Sequence, residues 1–319
     1  MRAALGADGL IAPFFAMMRY HMGWLDTDLQ PVQAPAGKRL RPLLCMLVCE
    51  AVGGQVEHAL PAAAAIELVH NFSLIHDDIE DHSEMRRHRT TVWKLWGLPH
   101  GINCGDGMFS AALLQLAHLS ERGVPPGRAL RAQRIMLETC LRLTEGQYLD
   151  MEFERRMDVD MDGYLWMIGN KTAALIACAT RLGALLGGAS ESVVDAYGRF
   201  GRNLGLAFQV IDDILGIWGQ EDETGKSAKS DILTRKKTLP IVYVLQDPEL
   251  QALYARELTE ADVDPVLAIL ERHQAQAYAS RQAALFSARA LEALQETGQT
   301  SAAHESLYEF AESLLKRSA

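Results

Sequence analysis

The chain has no basic excess, no disulfide-like cysteine pattern, no long apolar run and little strand-like alternation. Its 31 Lys and Arg face 41 Asp and Glu, a net charge of −10. That balance excludes a general nucleic-acid binder, which carries a basic face or stripe. Its 5 cysteines, Cys45, Cys49, Cys104, Cys140 and Cys178, are odd in number and lie among apolar neighbours. They read as reduced core thiols rather than a disulfide framework. A membrane span needs about 18 uninterrupted apolar residues, and Arg181 breaks the best candidate, Ala173 to Leu186. No integral membrane segment is therefore expected. A basic stretch followed by an apolar core is also missing from the start, so no signal peptide is expected and the protein reads as cytoplasmic. No linker of low complexity divides the chain, and no repeat of solenoid length appears.

What is present is an average globular composition, 49% hydrophobic and 23% charged over 319 residues. That length buries roughly 70–75% of the unfolded surface. The pattern is helical. Helices are predicted over residues 8–24, 38–52, 57–82, 103–121, 127–156, 161–186, 190–218, 239–256, 259–297 and 300–317. Gly53-Gly54 and Gly187-Gly188 read as helix stops. Thr259 with Asp262 resembles a capping box. The run from Pro240 to Leu245 has strand-like composition but reads as a helix start, with Pro240 in its first turn. A single all-α domain is the simplest expectation.

Two acidic stretches carry the chemistry. The first, His70-Asn71-Phe72-Ser73-Leu74-Ile75-His76-Asp77-Asp78-Ile79-Glu80-Asp81, ends a long apolar helix. Asp77 and Asp81 are spaced i, i+4 and share one face. Paired hard oxygens of this kind suit Mg²⁺, which takes one or two carboxylates and completes its shell with water and phosphate. Taken alone, the stretch reads equally well as a solvated helix end. The second, Phe208-Gln209-Val210-Ile211-Asp212-Asp213-Ile214-Leu215-Gly216, again ends an apolar helix with an Asp pair. Basic residues accompany both: Lys38 and Arg41, Arg86-Arg87, Lys226, and Lys236-Lys237. Singly each is a surface cation; together with metal-binding carboxylates they suit a strongly anionic ligand such as a diphosphate.

These motifs, in this order and spacing from about residue 35 to 245, resemble the trans-type isoprenyl diphosphate synthases, or polyprenyl synthetases. The residues concerned are Gly37-Lys38-Arg39-Leu40-Arg41-Pro42, Asp77 to Asp81 with Arg86-Arg87, Gly169-Asn170-Lys171-Thr172, Gln209 to Asp213, Thr224-Gly225-Lys226, and Asp231 to Pro240. The resemblance implies an all-α bundle of the isoprenoid synthase type around a deep central pocket, spanning 1–319 as one domain and working as a homodimer. It implies a prenyltransferase that joins isopentenyl diphosphate head to tail to an allylic diphosphate, with two to three Mg²⁺.

By the same resemblance, Asp77, Asp81 and Asp212 hold Mg²⁺, and Asp78 and Asp213 support them. Arg86, Lys171, Gln209 and Lys226 line the allylic diphosphate, with Lys236 at its diphosphate end. Lys38, Arg41, His70 and Arg87 hold isopentenyl diphosphate, and Thr172 and Gln209 face the reacting carbons. One departure stands out: Gly216 lies where the family's second motif usually has Asp. If Asp212 makes the direct metal contact and Asp213 an indirect one, the site is retained without it.

Product length follows from helix geometry, since one turn rises about 5.4 Å, comparable to an isoprene unit. Phe72 lies five residues before Asp77, Ser73 four before and Val69 eight before. Phe72 closes the tunnel early, Ser73 leaves it open, and Val69 is too small for a strong stop. The family's archaeal-type geranylgeranyl diphosphate synthases share this pattern, so a C20 product is expected. Farnesyl (C15) and geranylfarnesyl (C25) diphosphate are the alternatives. A class I terpene cyclase would lack use for Lys38, Arg41 and Arg87. A regulatory subunit of a heteromeric synthase would lack one acidic stretch. Cys45 with Cys49, and His70, His76 and His82, lack the partners or shared face of a transition-metal site.

Overall fold

The computed structural model describes residues 1–34, 37, 39–219 and 230–315. It is 76% helical, so the all-α expectation holds. Among the described residues the only paired strands form one small ladder, β1 (Met85–Arg86) against β2 (Arg89–Thr90). Contacts gather into two compact units: residues 1–135 with 182–189, and residues 136–181 with 190–319. None of the described helices is long and apolar enough to cross a membrane.

The first unit holds α1 (Ala12–His21), α2 (Leu40–Ala51), α3 (Val56–Glu80), α4 (Val92–Trp96), α5 (Leu98–Ala117) and the start of α6 (Pro126–Arg155). Helix α3 is the central element, packed against α2 and α5. Ala59, Ala62, Ala65, Ile66, Leu68 and Val69 are completely buried along it. Small side chains let the helices come close. At Gly105 of α5 a Cβ would fall 2.2 Å from His76 Nε2, so only glycine admits that ring.

The second unit holds the rest of α6, then α7 (Met161–Ile168), a π-helical turn (Gly169–Ala173) and the first part of α8 (Ala174–Gly187). It continues through α9 (Glu191–Trp218), α10 (Ser230–Leu233), α11 (Leu239–Val244) and α12 (Pro248–Tyr254). It ends with α13 (Glu260–Arg272), α14 (Ala275–Gln295) and α15 (Ala302–Leu315). Helices α9 and α14 pack along an alanine seam, Ala275, Ala279, Ala283 and Ala290, each wholly buried.

Most predicted helices lie near their expected positions, and the exceptions have local causes. The predicted 161–186 helix is interrupted by the π turn at Gly169–Ala173. The predicted 239–256 helix stops before Asp247, whose carboxylate caps a new helix beginning at Pro248. The predicted 259–297 helix breaks at Gln274, held in the left-handed region at φ 54°. The capping box is present, with Thr259 N donating to Asp262 Oδ2 at 2.8 Å. Pro240 sits in the first turn of α11. Helix α4 and the β1–β2 ladder are additions too short for a periodicity argument to find. All five cysteines are free and buried. Burial pushes the Cys104 and Cys178 thiols up to about 12, which keeps them inert as core groups.

Asp247 links α12 to α13. It accepts from Glu249 N at 2.8 Å, from His273 Nε2 at 2.8 Å and from Arg272 Nη2 at 2.9 Å. The His273 hydrogen bond, then the backbone donors and Arg272, lower its pKa to about 2. A depressed carboxyl contributes stability that is complete above its unfolded pKa, about 3.9, and disappears as pH falls through the folded value. Asp247→Ala should therefore lower the melting temperature at pH 6. The difference from wild type should narrow between pH 4 and pH 2, as thermal melts across that range will show.

Candidate functional site

Neighbouring residues on a helix point in different directions, because 3.6 residues make a turn. An Asp-Asp pair at the end of a half-buried helix therefore divides into one outward and one inward carboxylate. At the end of α3, Asp78 points inward and is 1% exposed. Asp77 is half-buried and Asp81, the C-cap of α3, is exposed. The chain reverses through β1 and β2, and Arg86 Nε donates to Asp78 Oδ1 at 2.7 Å. Burial raises the Asp78 pKa to about 6 despite that guanidinium. Its Oδ2 is buried without a hydrogen-bond partner.

The cationic residues expected to hold isopentenyl diphosphate lie in the same unit. Arg41 Nη1 meets His70 Nε2 at 3.4 Å. Burial, then Arg41 and Arg87, hold the His70 pKa well below its ordinary value, so its imidazole is neutral. Arg87 adopts a left-handed backbone, φ 52°. Its guanidinium passes over Gly37, where a Cβ would fall 2.9 Å from Nη2, and Gly37 itself has φ 77°. Glycine suits position 37 for its conformation, and its lack of a side chain leaves the Arg87 guanidinium its place. Lys38 lies outside the described residues, as does Lys226.

A pocket beside these groups is lined by Tyr20, His21, Asp78, Arg86, Arg87 and Arg89, with Thr90, Thr91 and Val92. The sequence reading missed His21 and Arg89. Burial, then Arg86 and Arg87, push the His21 pKa down to about 3, so this ring too is neutral. Arg89 is a structural cation: it donates to Tyr20 O at 2.8 Å and lies 4.1 Å over the Tyr20 ring.

On α3, five residues before Asp77, Phe72 is half-buried, and its ring centroid stands 4.9 Å from that of Phe109 on α5. Ser73 Oγ donates back to His70 O at 2.9 Å, and Val69 is fully buried. Phe109 had no signal in the sequence beyond an aromatic residue in an apolar helix.

The second Asp pair divides in the same way. Asp212 is exposed and Asp213 is 5% exposed. Asp213 Oδ2 accepts from Tyr164 OH at 2.6 Å and from Leu239 N at 2.7 Å. Its Oδ1 accepts from Gln209 Nε2 at 2.9 Å. Burial still raises the Asp213 pKa to about 6, against the lowering effect of these donors. Gln209 Oε1 in turn accepts from Thr172 Oγ1 at 2.6 Å. Thr172, Gln209, Asp213 and Tyr164 therefore form one hydrogen-bonded chain.

Lys171 and Thr172 both lie in the π turn, a geometry that occurs mostly as single turns and often at functional sites. Helix α6 crosses this turn at Gly146, where a Cβ would fall 2.2 Å from Lys171 N. Lys171 Nζ rests on Asp150 Oδ2 at 2.5 Å. Asp150 and Tyr164 were not singled out from the sequence, because neither belongs to a run of like residues. Lys236 is half-buried beyond α10. Its neighbour Lys237 points inward, with Nζ donating to Glu154 O and Arg235 O at 3.2 Å each.

The donors fit divalent magnesium chemically. Among the described residues no three His, Cys, Asp or Glu side chains form a ready-made metal cage. Each stretch instead offers one or two hard carboxylates, the arrangement suited to a cation that keeps water and phosphate in its shell.

Comparison with known proteins agrees with the motifs. The polyprenyl synthetase family model matches residues 22–270. A (2E,6E)-farnesyl diphosphate synthase of Mycobacterium tuberculosis is 46% identical over 239 residues, 75% of this chain and 65% of that protein. The chain thus spans just under two thirds of the length of that relative. A geranylgeranyl diphosphate synthase of the same organism is 41% identical over 266 residues, 81% of this chain and 75% of that one. The crystal structure of a polyprenyl synthetase from Streptomyces coelicolor A3(2) superposes with a TM-score of 0.89 at 36% identity, covering 98% of this chain and 95% of that one.

The hydrogen-bonded chain makes a direct prediction. Tyr164→Phe removes one of the three donors to a buried carboxylate and should cost about 1–3 kcal/mol of stability. A urea denaturation series will read this as a lower midpoint with an unchanged slope.

Proposed function

We propose that this chain, which belongs to the polyprenyl synthetase family, joins isopentenyl diphosphate head to tail to an allylic diphosphate. We propose further that its product is geranylgeranyl diphosphate. The observation that carries the reaction is the division of each Asp pair. Asp77 and Asp212 stand outward while Asp78 and Asp213 are committed inside, so each helix end carries one carboxylate toward solvent and one that anchors it.

By resemblance, Asp77, Asp81 and Asp212 hold two to three Mg²⁺ at the allylic diphosphate. When bound, these ions supply the positive charge that stabilises the departing diphosphate. The chain's own groups do the rest. Lys171, Lys226, Lys236 and Arg86 add donors on the allylic side. Lys38, Arg41 and Arg87 grip isopentenyl diphosphate, with neutral His70 as a further polar contact. Thr172 has its proton committed to Gln209, so its oxygen presents lone pairs rather than a donor. That orientation favours positive charge on carbon. Apolar side chains around the prenyl chain exclude water that would quench the cation.

Phe72 backed by Phe109 supports the C20 reading as a two-ring barrier below the Asp pair. The same second ring and the name of the 46% identical relative favour farnesyl diphosphate as a second reading. Incubation with isopentenyl diphosphate, Mg²⁺ and, in turn, dimethylallyl, geranyl and farnesyl diphosphate tests both. Products ending at C20 support the proposal; products ending at C15 favour the second reading; no elongation by any primer overturns the reaction. Phe72→Ala should lengthen the product by at least one isoprene unit in the same separation.

The working form is a homodimer. Supporting this, Leu130, Leu137, Leu141 and Tyr148 are exposed along α6, and clustered exposed apolar side chains mark interaction surfaces. Leu137→Arg with Leu141→Arg should halve the mass measured by sedimentation. An unchanged mass would place the interface elsewhere or remove it.

A further inference from the structure

We infer that His76 is a positioning residue for Phe72 and through it sets the length of the product. Phe72 and His76 are spaced i, i+4 on α3 and share a face. Their rings meet almost perpendicularly, with centroids 5.8 Å apart and planes at 84°. Phe109 of α5 touches the same Phe72 ring, at 4.9 Å and 55°. Phe72 is thus braced by two rings, one from its own helix and one from the helix alongside. Edge-to-face and tilted contacts are the arrangements that aromatic rings prefer. A Phe side chain chooses among staggered rotamers, and a brace from two directions selects one of them.

His76 can act as a brace because it is itself pinned. Its Nε2 lies 3.2 Å from the Ile102 carbonyl oxygen on α5. A carbonyl oxygen only accepts, so Nε2 carries the proton. The Asp106 carboxylate, 3.7 Å from the same nitrogen, favours a proton there. At Gly105 a Cβ would fall 2.2 Å from His76 Nε2 and 2.4 Å from its Cδ2, so a side chain at that position would displace the ring. Ile102, Gly105, Asp106 and Phe109 follow the i, i+3, i+4, i+7 pattern of one helix face. One stripe of α5 therefore receives His76 and Phe72 together.

This role rests on the proposed reading of Phe72 as the end of the prenyl tunnel. The partners of His76 described above, Phe72, Ile102 and Asp106, are not among the groups proposed to hold either diphosphate. Release of the brace should therefore change where elongation stops rather than how the substrates bind. A Phe72 ring freed on one side can swing out of the path of a longer chain.

The test compares wild type with Phe72→Ala, His76→Ala, Gly105→Ala and the pair Gly105→Ala with His76→Ala. Products made from isopentenyl diphosphate, Mg²⁺ and one common primer are separated by chain length, and KM for isopentenyl diphosphate is measured alongside. His76→Ala should raise the share of product longer than that of wild type about two- to tenfold, the population change that loss of one edge-to-face ring contact allows, with KM unchanged. Gly105→Ala, which displaces the ring, should shift the product the same way. In the pair, Gly105→Ala should add nothing to His76→Ala, because no ring is left to displace. A longer product from Phe72→Ala with a wild-type product from His76→Ala overturns the role of His76 and leaves Phe72 as the end of the tunnel. A wild-type product from Phe72→Ala overturns that reading and the role with it. A raised KM with unchanged product length in His76→Ala also overturns the role, since it marks His76 as a support of the diphosphate site. Should His76→Ala or Gly105→Ala fail to fold, the other, set against Phe72→Ala, still decides the matter.

Discussion

A carboxylate taken out of water must find donors or a counter-ion, or give up its charge. Asp78 and Asp213 are both nearly inaccessible, and both sit at the end of a long helix that carries an outward Asp beside them. Their two solutions differ. Asp78 is met by a single guanidinium, which arrives only because β1 and β2 turn the chain back after α3. Asp213 is met by a phenol, an amide and a backbone N–H from three separate elements. In both places burial holds the pKa near 6, so each inward carboxyl is only partly favoured as an anion. A divalent cation beside either one favours its ionised form. The inward residues thus fix the helix ends and respond to charge brought to their outward neighbours.

The Asp213 arrangement also explains the irregular backbone around it. Tyr164 reaches it from α7, while Thr172 reaches Gln209 from the π turn that follows. A continuous α-helix from α7 to α8 would rotate one set relative to the other. The wide turn over Gly169–Ala173 absorbs that rotation, and Gly146 on α6 and Gly205 on α9 leave room for its backbone. At Gly205 a Cβ would stand 2.5 Å from Ala173 Cα. Glycine here makes contact possible between backbones rather than flexibility. The hydroxyl of Thr172 is thereby aimed by a backbone irregularity, with its proton direction set by an amide that is itself held by Asp213.

Much of this was legible in the sequence, and the part that was not has a common cause. Helix periodicity located α2, α3, α6 and α9, because long amphipathic segments average out local noise. It merged α13 with α14 because a single left-handed residue, Gln274, leaves no mark on hydrophobic spacing. Motif residues were found because like residues sit close together in the chain, as in Asp77 to Asp81. Tyr164, Asp150, His21 and Phe109 were missed because each joins the site through the fold and not through its neighbours in sequence. Gly216 stands out in the sequence as a gap, but that the Asp231 carboxylate of another helix lies against it is visible only in the fold. A pattern read along one helix cannot show a side chain that another helix brings beside it.

The remaining puzzle is how a chain of net charge −10 would present cations to the anionic ligand proposed for it. Its cations are kept near carboxylates or carbonyls rather than spread into solvent. Lys171 rests on Asp150 and Arg86 on Asp78, so their charge is balanced before any ligand arrives. The histidines among them add none, since His21 and His70 are held neutral by burial and by the neighbouring arginines. Arg87 stands apart. Burial lowers its pKa, the mark of a guanidinium partly stripped of water. Its left-handed backbone and the bare Gly37 beneath it fix its direction. A dehydrated cation gains more from an incoming anion than a hydrated one, because part of the desolvation cost was met on folding. The overall negative field repels diphosphates at long range, yet it falls off within a Debye length of about 8 Å at physiological salt. Inside that distance the fixed, partly dry arginines decide the sign.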